Sequence, residues 1–311
     1  MTENALGVLV MAYGTPKSQD EVLPYYTHIR HGHPPTLELL QQLLDRYQAI
    51  GGLSPLNEIT QAQARGIEAA LNQDGGRPIK VYLGFKHTSP FISDSVHQMA
   101  ADGITQVVTL VLAPHYSTMS VAAYQTAANE TAAETGLTLW HVNDWHLQPR
   151  FLEVVAERVE RALAKTPNPD TATVLFSAHS LPERILEAGD PYPQQLRETG
   201  EAIAAKLDLN HFGFAWQSAG RTNDKWLGPD ILDELRRLAA KKVNQVVVCP
   251  VGFVADHLEV LYDIDVECKH LARDLGLHLT RTDSLNADPG FLQALAEIIR
   301  ARESLAKRGH L

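Results

Sequence analysis

Glu259, Asp263 and Glu267 stand at i, i+4 and i+8 in the segment VCPVGFVADHLEVLYDIDVECKHLA, with Asp256 three residues before the first of them. An apolar run ends at Cys249–Pro250, Gly252 permits a turn, and the spacing predicts a helix from about Ala255. On an α-helix residues four apart drift by only ~40°, so these acids form one stripe about 12 Å long. Like charges four apart cost a helix about 0.2–0.5 kcal/mol per pair, a cost that cations or protons relieve. Periodicity alone favours a plainer reading, a solvated face opposite an apolar stripe of Val254, Leu258 and Leu261. The location argues the other way, because the acids begin just beyond the carboxyl end of a strand, where ligands of open α/β sheets collect.

A second feature is Ser177-Ala178-His179-Ser180-Leu181-Pro182-Glu183, which follows the strand-like ATVLF. A histidine there can take a proton or ligate a metal. Ser180, with Glu183 three residues later, reads as a helix cap, which leaves His179 available. A serine hydrolase built on Ser180 and His179 is the weakest reading, since neither Ser177 nor Ser180 lies in GxSxG. His115, in LVLAPHYST, occupies a similar place in the first half, and spacing does not choose between the two histidines.

The third feature is a set of residues near the N-terminus. Tyr13 follows the first strand, and Arg30, Arg46, Tyr47 and Ser54 come in the segments YYTHIRHGH, DRY and GGLSPL. A phenol, two arginines and a serine in successive loops suit an anion-binding rim, because guanidinium pairs with carboxylate in bidentate fashion. The bland alternative makes Arg30 and Arg46 ordinary surface charges on helices. His28, His31 and His33 lack metal spacing and read as exposed loop residues.

The elements that must carry these residues alternate. Gly7–Ala12, Ile79–Gly84, Gln106–Ala113 and Leu137–Val142 read as strands in the first half. Thr173–Ser177, Phe212–Gln217, Gln245–Pro250 and His278–Arg281 do so in the second. Leu37–Tyr47, Glu58–Gln73, Val121–Glu134 and Phe151–Leu163 carry helical spacing. Such alternation implies parallel sheets covered on both faces. The halves resemble each other, which predicts two doubly wound, Rossmann-like α/β lobes flanking a central cleft. The first lobe spans 1–145, completed by a C-terminal helix from 288, and the second spans 146–287. No GxGxxG follows a strand and no GxxxxGK[ST] occurs, so the usual nucleotide cradles are absent.

Composition fits a chain with a sizeable core. Of 311 residues, 44% are hydrophobic and 21% charged, which excludes disordered and low-complexity classes. The net charge of −10 is shared equally between residues 1–150 and 151–311, so no basic half exists to hold nucleic acid or anionic lipid. The N-terminus lacks a leader pattern, and no apolar run approaches the ~20 residues needed to span a bilayer. Two cysteines, Cys249 and Cys268, allow neither a disulfide framework nor a four-cysteine cluster, and a reducing cytoplasm fits best. Histidine is abundant at 14 residues, against 4 Met and 8 Phe, although scattered surface histidines explain a high count equally well.

Taken together, MAYGTP, YYTHIR, DRYQAIGGLSPL, GFKHTSPF, LAPHYST, SAHSLPE, GDPYP, WLGPD and PVGFVADHLEVLYDID resemble the ferrochelatases, enzymes that insert ferrous iron into a porphyrin. The match runs through nearly the whole chain in order, and the Gram-positive coproporphyrin subgroup is the nearest. The resemblance implies a class II chelatase-like fold and a lyase of haem biosynthesis. It places the metal-handling pair on His179 and Glu259, with Asp263 and Glu267 on an acidic path leading away. It places porphyrin contacts on Tyr13, Arg30, Arg46, Tyr47, Ser54 and Tyr124, with Lys86, His87 and Trp226 lining the cleft. Some members carry a cysteine-ligated iron–sulfur cluster near the C-terminus. This sequence has no such cysteines, so no cluster and no tightly bound cofactor are expected, and Fe2+ is a substrate.

The implied chemistry agrees with the residues. Insertion must strip water from iron, bend the macrocycle and remove two pyrrole protons. A neutral imidazole accepts a proton or ligates ferrous iron, and a carboxylate opposes the incoming charge. Four propionates on coproporphyrin III want several rim donors, which favours it over protoporphyrin IX with two. The competing expectations are a protoporphyrin IX ferrochelatase, a cobalt or nickel chelatase for a sirohydrochlorin-type ring, and a non-catalytic haem or porphyrin carrier. A monomer is expected, with a coprohaem-decarboxylating enzyme as a transient partner.

Overall fold

A computed structural model of the chain describes residues 5–73, 75, 77–220 and 222–309. The chain runs β1 (Leu6–Ala12), α1 (Val22–Ile29), α2 (Leu37–Ala49), α3 (Leu56–Leu71), β2 (Ile79–Phe85), α4 (Ile92–Ala101), β3 (Gln106–Val111), α5 (Val121–Thr135), β4 (Thr138–His141) and α6 (Pro149–Ala164). It continues β5 (Thr173–His179), α7 (Arg184–Glu187), α8 (Tyr192–Lys206), β6 (Phe212–Gln217), α9 (Ile231–Ala240), β7 (Gln245–Cys249), a π-helix (Val260–Cys268), α10 (Lys269–Asp274), β8 (His278–Arg281) and α11 (Pro289–Lys307). Two compact units result. One comprises Met1–Pro114, Ser120–Trp145 and Asn286–Leu311, and the other His115–Met119 and His146–Leu285.

Each unit is built on a parallel four-stranded sheet, ordered β2-β1-β3-β4 in the first and β6-β5-β7-β8 in the second. The strand that comes first in the chain is therefore internal to each sheet. β1 is buried along its whole length, and β5 is buried up to its last residue, His179. Continuous Val, Ile and Leu runs buried on both faces make this possible. The matching order also sharpens the internal likeness. His115 follows the third strand of the first sheet, whereas His179 ends the first strand of the second, so the two histidine motifs are not topological counterparts. The residue that corresponds to His179 in place is Tyr13, just after β1.

The C-terminal helix α11 starts cleanly, with Pro289 in its first turn and the Asp288 carboxylate accepting from Phe291 N at 3.1 Å. It packs against α3 in the first unit, where a Cβ at Gly66 would overlap Leu292. Arg300 reaches the Leu71 carbonyl at the far end of α3.

The largest departure from helical expectation lies in the acidic segment. Helix begins at Leu258 rather than Ala255, and from Val260 to Cys268 it is a π-helix. The buried stripe is accordingly Val260, Ile264 and Cys268, four apart, while Leu258 and Leu261 are only partly covered. An i→i+5 ladder makes four residues fall just short of a turn instead of just beyond it. Apolar residues spaced by four thus stay on the core side, and the acids spaced by four stay together on another face.

Candidate active site

In the second unit the site is assembled at the carboxyl ends of β5, β6 and β7. His179 is the last residue of β5. Its Nδ1 lies against the Ser180 carbonyl, which only accepts, so Nδ1 carries the proton and Nε2 is the reactive nitrogen. Nε2 stands 3.6 Å from Glu259 Oε1, with each side chain about one third exposed. The other carboxylate oxygen, Oε2, stands 3.6 Å from His257 Nε2. His257 Nδ1 in turn donates to the Ala255 carbonyl at 3.0 Å, so it too presents Nε2 to the carboxylate. Glu259 is therefore flanked by an imidazole on each oxygen.

The electrostatics of the pair are mutual. Burial disfavours the charged forms of both groups, and their attraction overrides it. His179 is raised above the ordinary histidine range by Glu259 despite its burial. Glu259 is held well below the ordinary carboxylate range by His179 and His257. Both shifts favour the imidazolium–carboxylate form of the pair.

Several groups fix the backbone that carries these two side chains. The Tyr192 hydroxyl donates to the His179 carbonyl at 3.0 Å, and its ring packs on Trp216. The fully buried Gln217 uses its backbone oxygen to hold Ser180 N at 2.7 Å. Its side chain accepts from Ser177 Oγ at 3.0 Å and donates to the Glu259 carbonyl at 3.5 Å. Gly252 closes the turn after β7, with its N–H on the Ser177 carbonyl at 3.0 Å and no room for a Cβ beside Ala178. Ser180 is not a helix cap: its hydroxyl donates to the Leu227 carbonyl at 2.8 Å and ties the loop after His179 to the Trp226 segment. The short α7 that follows has Glu183 as its N-cap, without a side-chain bond. Trp226 itself is partly buried and donates from Nε1 to Thr222 Oγ1 at 3.2 Å.

Along the π-helix, Asp263 is buried and accepts a bond from the Ser218 hydroxyl, while Glu267 is exposed. Asp256 lies in the turn before the helix, where Ser284 and Arg281 hold it at 2.7 and 3.3 Å, so it is a structural acid outside the row.

In the first unit, Tyr13 follows β1 and Lys86-His87 follow β2, with Lys86 N and His87 N continuing the ladder to the carbonyls of Ala12 and Tyr13. The Tyr13 and His87 rings lie 4.4 Å apart, and the Lys86 ammonium lies 5.2 Å from the buried Tyr124 ring. Burial, together with nearby Lys86, His28 and His31, pushes His87 down to about 3, so it stays neutral; burial also lowers Lys86. His28 is not a loop residue: it sits on α1 with Nδ1 at 2.9 Å from His87 Nδ1. Tyr47 is buried, and its hydroxyl is 3.3 Å from Thr15 Oγ1, which brings it to the loop after Tyr13.

The remaining rim residues are positioned differently from a set of loop donors. Arg30 caps the C-terminus of α1, donates from Nε to the His33 carbonyl at 3.2 Å and lies 5.9 Å over Tyr26. Arg46 is within α2, beside Tyr47. Ser54 is the one loop residue of the three, buried before α3 with its hydroxyl 3.4 Å from Leu56 N. A helix at 22–29 is compatible with Pro24 because proline is tolerated in a first turn.

Sequence reasoning missed His257, His28, Gln217, Ser218 and Tyr192. Only His257 had a local signal, standing two residues before Glu259; Gln217 and Ser218 are brought in by strand pairing, and His28 and Tyr192 by helix packing. Among the described residues no cluster of three or more His, Cys, Asp or Glu side chains is placed to hold a metal ion, and no helix is long and apolar enough to cross a membrane.

The family model for ferrochelatase matches residues 5–303. Coproporphyrin III ferrochelatase from Halalkalibacterium halodurans is 47% identical over 305 residues, covering 97% of this chain and 98% of that protein. The enzyme of the same name from Bacillus subtilis is 47% identical over 304 residues, covering 96% and 98%. Among solved structures, SirB from Bacillus subtilis with Fe3+ superposes with a TM-score of 0.63 at 10% identity, covering 97% of each chain, a likeness of fold. The chain belongs to the ferrochelatase family.

Proposed function

We propose that this enzyme inserts ferrous iron into coproporphyrin III, giving coprohaem in haem biosynthesis, with His179 and Glu259 handling the metal and the pyrrole protons. The observation that carries the reading is the 3.6 Å gap between His179 Nε2 and Glu259 Oε1. It is too long for a good hydrogen bond. A divalent ion bonded at about 2.1 Å to each atom would see them roughly 120° apart, an ordinary angle for such ligands. One imidazole and one carboxylate form an incomplete set, which suits an ion that must be handed on rather than kept. Family membership and the names of relatives 47% identical support the same reaction.

In this reading iron meets the pair first as an exchange of charge. The imidazolium proton leaves Nε2 for solvent water, and the freed lone pair and the Glu259 carboxylate replace water on the ion. When iron passes to the macrocycle, two pyrrole N–H bonds break and two protons are released. The vacated Nε2 takes one of them, favoured by the carboxylate beside it, and the other passes to water along the acidic face. His257, on the far oxygen of Glu259, keeps the carboxylate aimed. Asp263 and Glu267, on one face of the π-helix, form the acidic route between Glu259 and solvent.

Tyr13, Arg30, Arg46, Tyr47, Ser54 and Tyr124 are assigned to the porphyrin, and Lys86, His87 and Trp226 are assigned to the lining of its site. Guanidinium, ammonium and hydroxyl donors answer four propionates better than two. Iron is the substrate, and no resident cofactor is assigned. Two buried free thiols, Cys249 and Cys268, support a reducing cytoplasm. We assign a monomer that releases its product to a coprohaem-decarboxylating enzyme.

The test is anaerobic ferrous iron with coproporphyrin III and, separately, protoporphyrin IX, followed by loss of free-porphyrin absorbance. Faster conversion of coproporphyrin III is expected. Preference for protoporphyrin IX would overturn the rim assignment, and tight binding without metallation of either ring would make the protein a carrier.

A further inference from the structure

Gln217 and Ser218, at and just past the carboxyl end of β6, bracket the second-unit site from one point. Gln217 holds the residue after His179 through its carbonyl and the Glu259 backbone through its side chain. The next residue turns sharply: Ser218 has φ +61°, the left-handed region that residues with a Cβ rarely adopt. That turn delivers its hydroxyl to Asp263 Oδ2. Other acids nearby are held by cations. Asp265 is gripped by Arg281 at 2.9 Å and Lys269 at 2.6 Å, and Asp256 by Arg281. The Ser218 hydroxyl is an uncharged donor that orients the Asp263 carboxylate. Asp263 is 5% exposed and stands four residues from Glu259 on the same face of the π-helix.

We propose that Ser218 is a positioning residue for iron, whose hydroxyl holds the Asp263 carboxylate in line with Glu259 so that the ion finds two anionic stops in register. This rests on the reading of the acidic face as an iron route. A glycine would satisfy the backbone at φ +61° with less strain, so a serine there is explained by its hydroxyl rather than by the turn. Partners that orient metal-handling groups typically matter by 10–100-fold when removed.

The experiment compares Ser218→Gly, Ser218→Asn and Asp263→Asn in steady-state insertion, varying ferrous iron and coproporphyrin III separately. Glycine keeps the turn and deletes the donor; asparagine tolerates the same φ and restores an N–H donor. Ser218→Gly is expected to raise KM for iron about tenfold or more, with KM for the porphyrin within about twofold and an unchanged melting temperature, and Ser218→Asn to recover much of the loss. A wild-type KM for iron in Ser218→Gly, with a raised one in Asp263→Asn, would refute the role of Ser218 while leaving the route standing. Parallel loss in both KM values and in melting temperature would make Ser218 merely structural. An unchanged KM for iron in Asp263→Asn would remove the route itself, and this inference with it.

Discussion

Glu259 presents one carboxylate oxygen to His179 Nε2 at 3.6 Å while its other oxygen faces His257 Nε2 at the same distance. The carboxylate thus works on one side against the end of a β-strand and is steadied on the other from within its own turn. A single proton placed on either imidazole is shared electrostatically with the acid between them.

The pair makes a prediction about pH. His179 is raised and Glu259 depressed, so the pair's contribution to stability is complete only between the ordinary carboxylate value near ~4.3 and the ordinary histidine value near ~6.5. It declines as pH rises through the raised His179 value and again as pH falls through the lowered Glu259 value. Iron needs a free Nε2, so insertion at limiting iron should rise with pH through the His179 value. In Glu259→Gln the imidazole loses its counter-charge and keeps its burial. An NMR titration should then find His179 shifted to lower pH, and an unmoved titration would refute the coupling.

His115 gives a separate acid-stability prediction. It is 1% exposed, donates or accepts through Nε2 with Thr199 Oγ1 at 2.9 Å, and its Nδ1 has no partner. Burial, with a smaller contribution from His146, pushes it down to about 3. The unfolded chain therefore binds a proton between pH ~6.5 and ~3 that the folded chain excludes. Stability should fall over that window by up to ~1.4 kcal/mol per pH unit. Urea melts across the range should show a shallower acid limb for His115→Gln, and equal slopes would contradict the assignment.

Gly252→Ala tests how tightly the scaffold sets the site. The added methyl would sit 2.8 Å from the Ala178 Cα, a backbone atom that cannot swing aside, directly before His179. A loss of roughly 1–3 kcal/mol in stability is expected, as for other overpacked sites. Activity should drop further than stability explains, because the β5 end must shift. A fully active, equally stable variant would show that the turn has slack.

Arg30→Ala addresses the porphyrin rim. A charge-assisted bond to a carboxylate is worth about 1.5–3 kcal/mol, so KM for coproporphyrin III should rise roughly tenfold or more. KM for iron should not change. Equal effects on both substrates would place Arg30 in folding instead.

Much of this architecture was legible in the sequence, and particular residues show why. Continuous runs such as VVTLV and TVLF announce buried parallel strands, and Phe212–Gln217 and His278–Arg281 lie at the bounds their patterns imply. The His179–Glu259 pairing came from motif resemblance, and the fold brings the two within 3.6 Å across 80 positions of sequence. The π-helix was illegible, because spacing by four suits an α-helix nearly as well, and only Val260, Ile264 and Cys268 together betray the wider turn. Ser218 and Gln217 were invisible for another reason: their partners are set by β5–β6 pairing and by the descent of the helix, which local spacing does not encode. Ser180 misled because its pattern with Glu183 matches a capping box, whereas a buried carbonyl at Leu227 offered the hydroxyl a better partner.

The most direct measurement is coproporphyrin III binding and ferrous iron insertion, side by side, in the wild type, Glu259→Gln and His179→Ala. Both variants should bind the porphyrin within about threefold of the wild type and lose insertion by a factor of about 10²–10⁴, as expected when a proton-transfer group is removed. Insertion at the wild-type rate in either variant would contradict the assignment of iron and pyrrole protons to this pair.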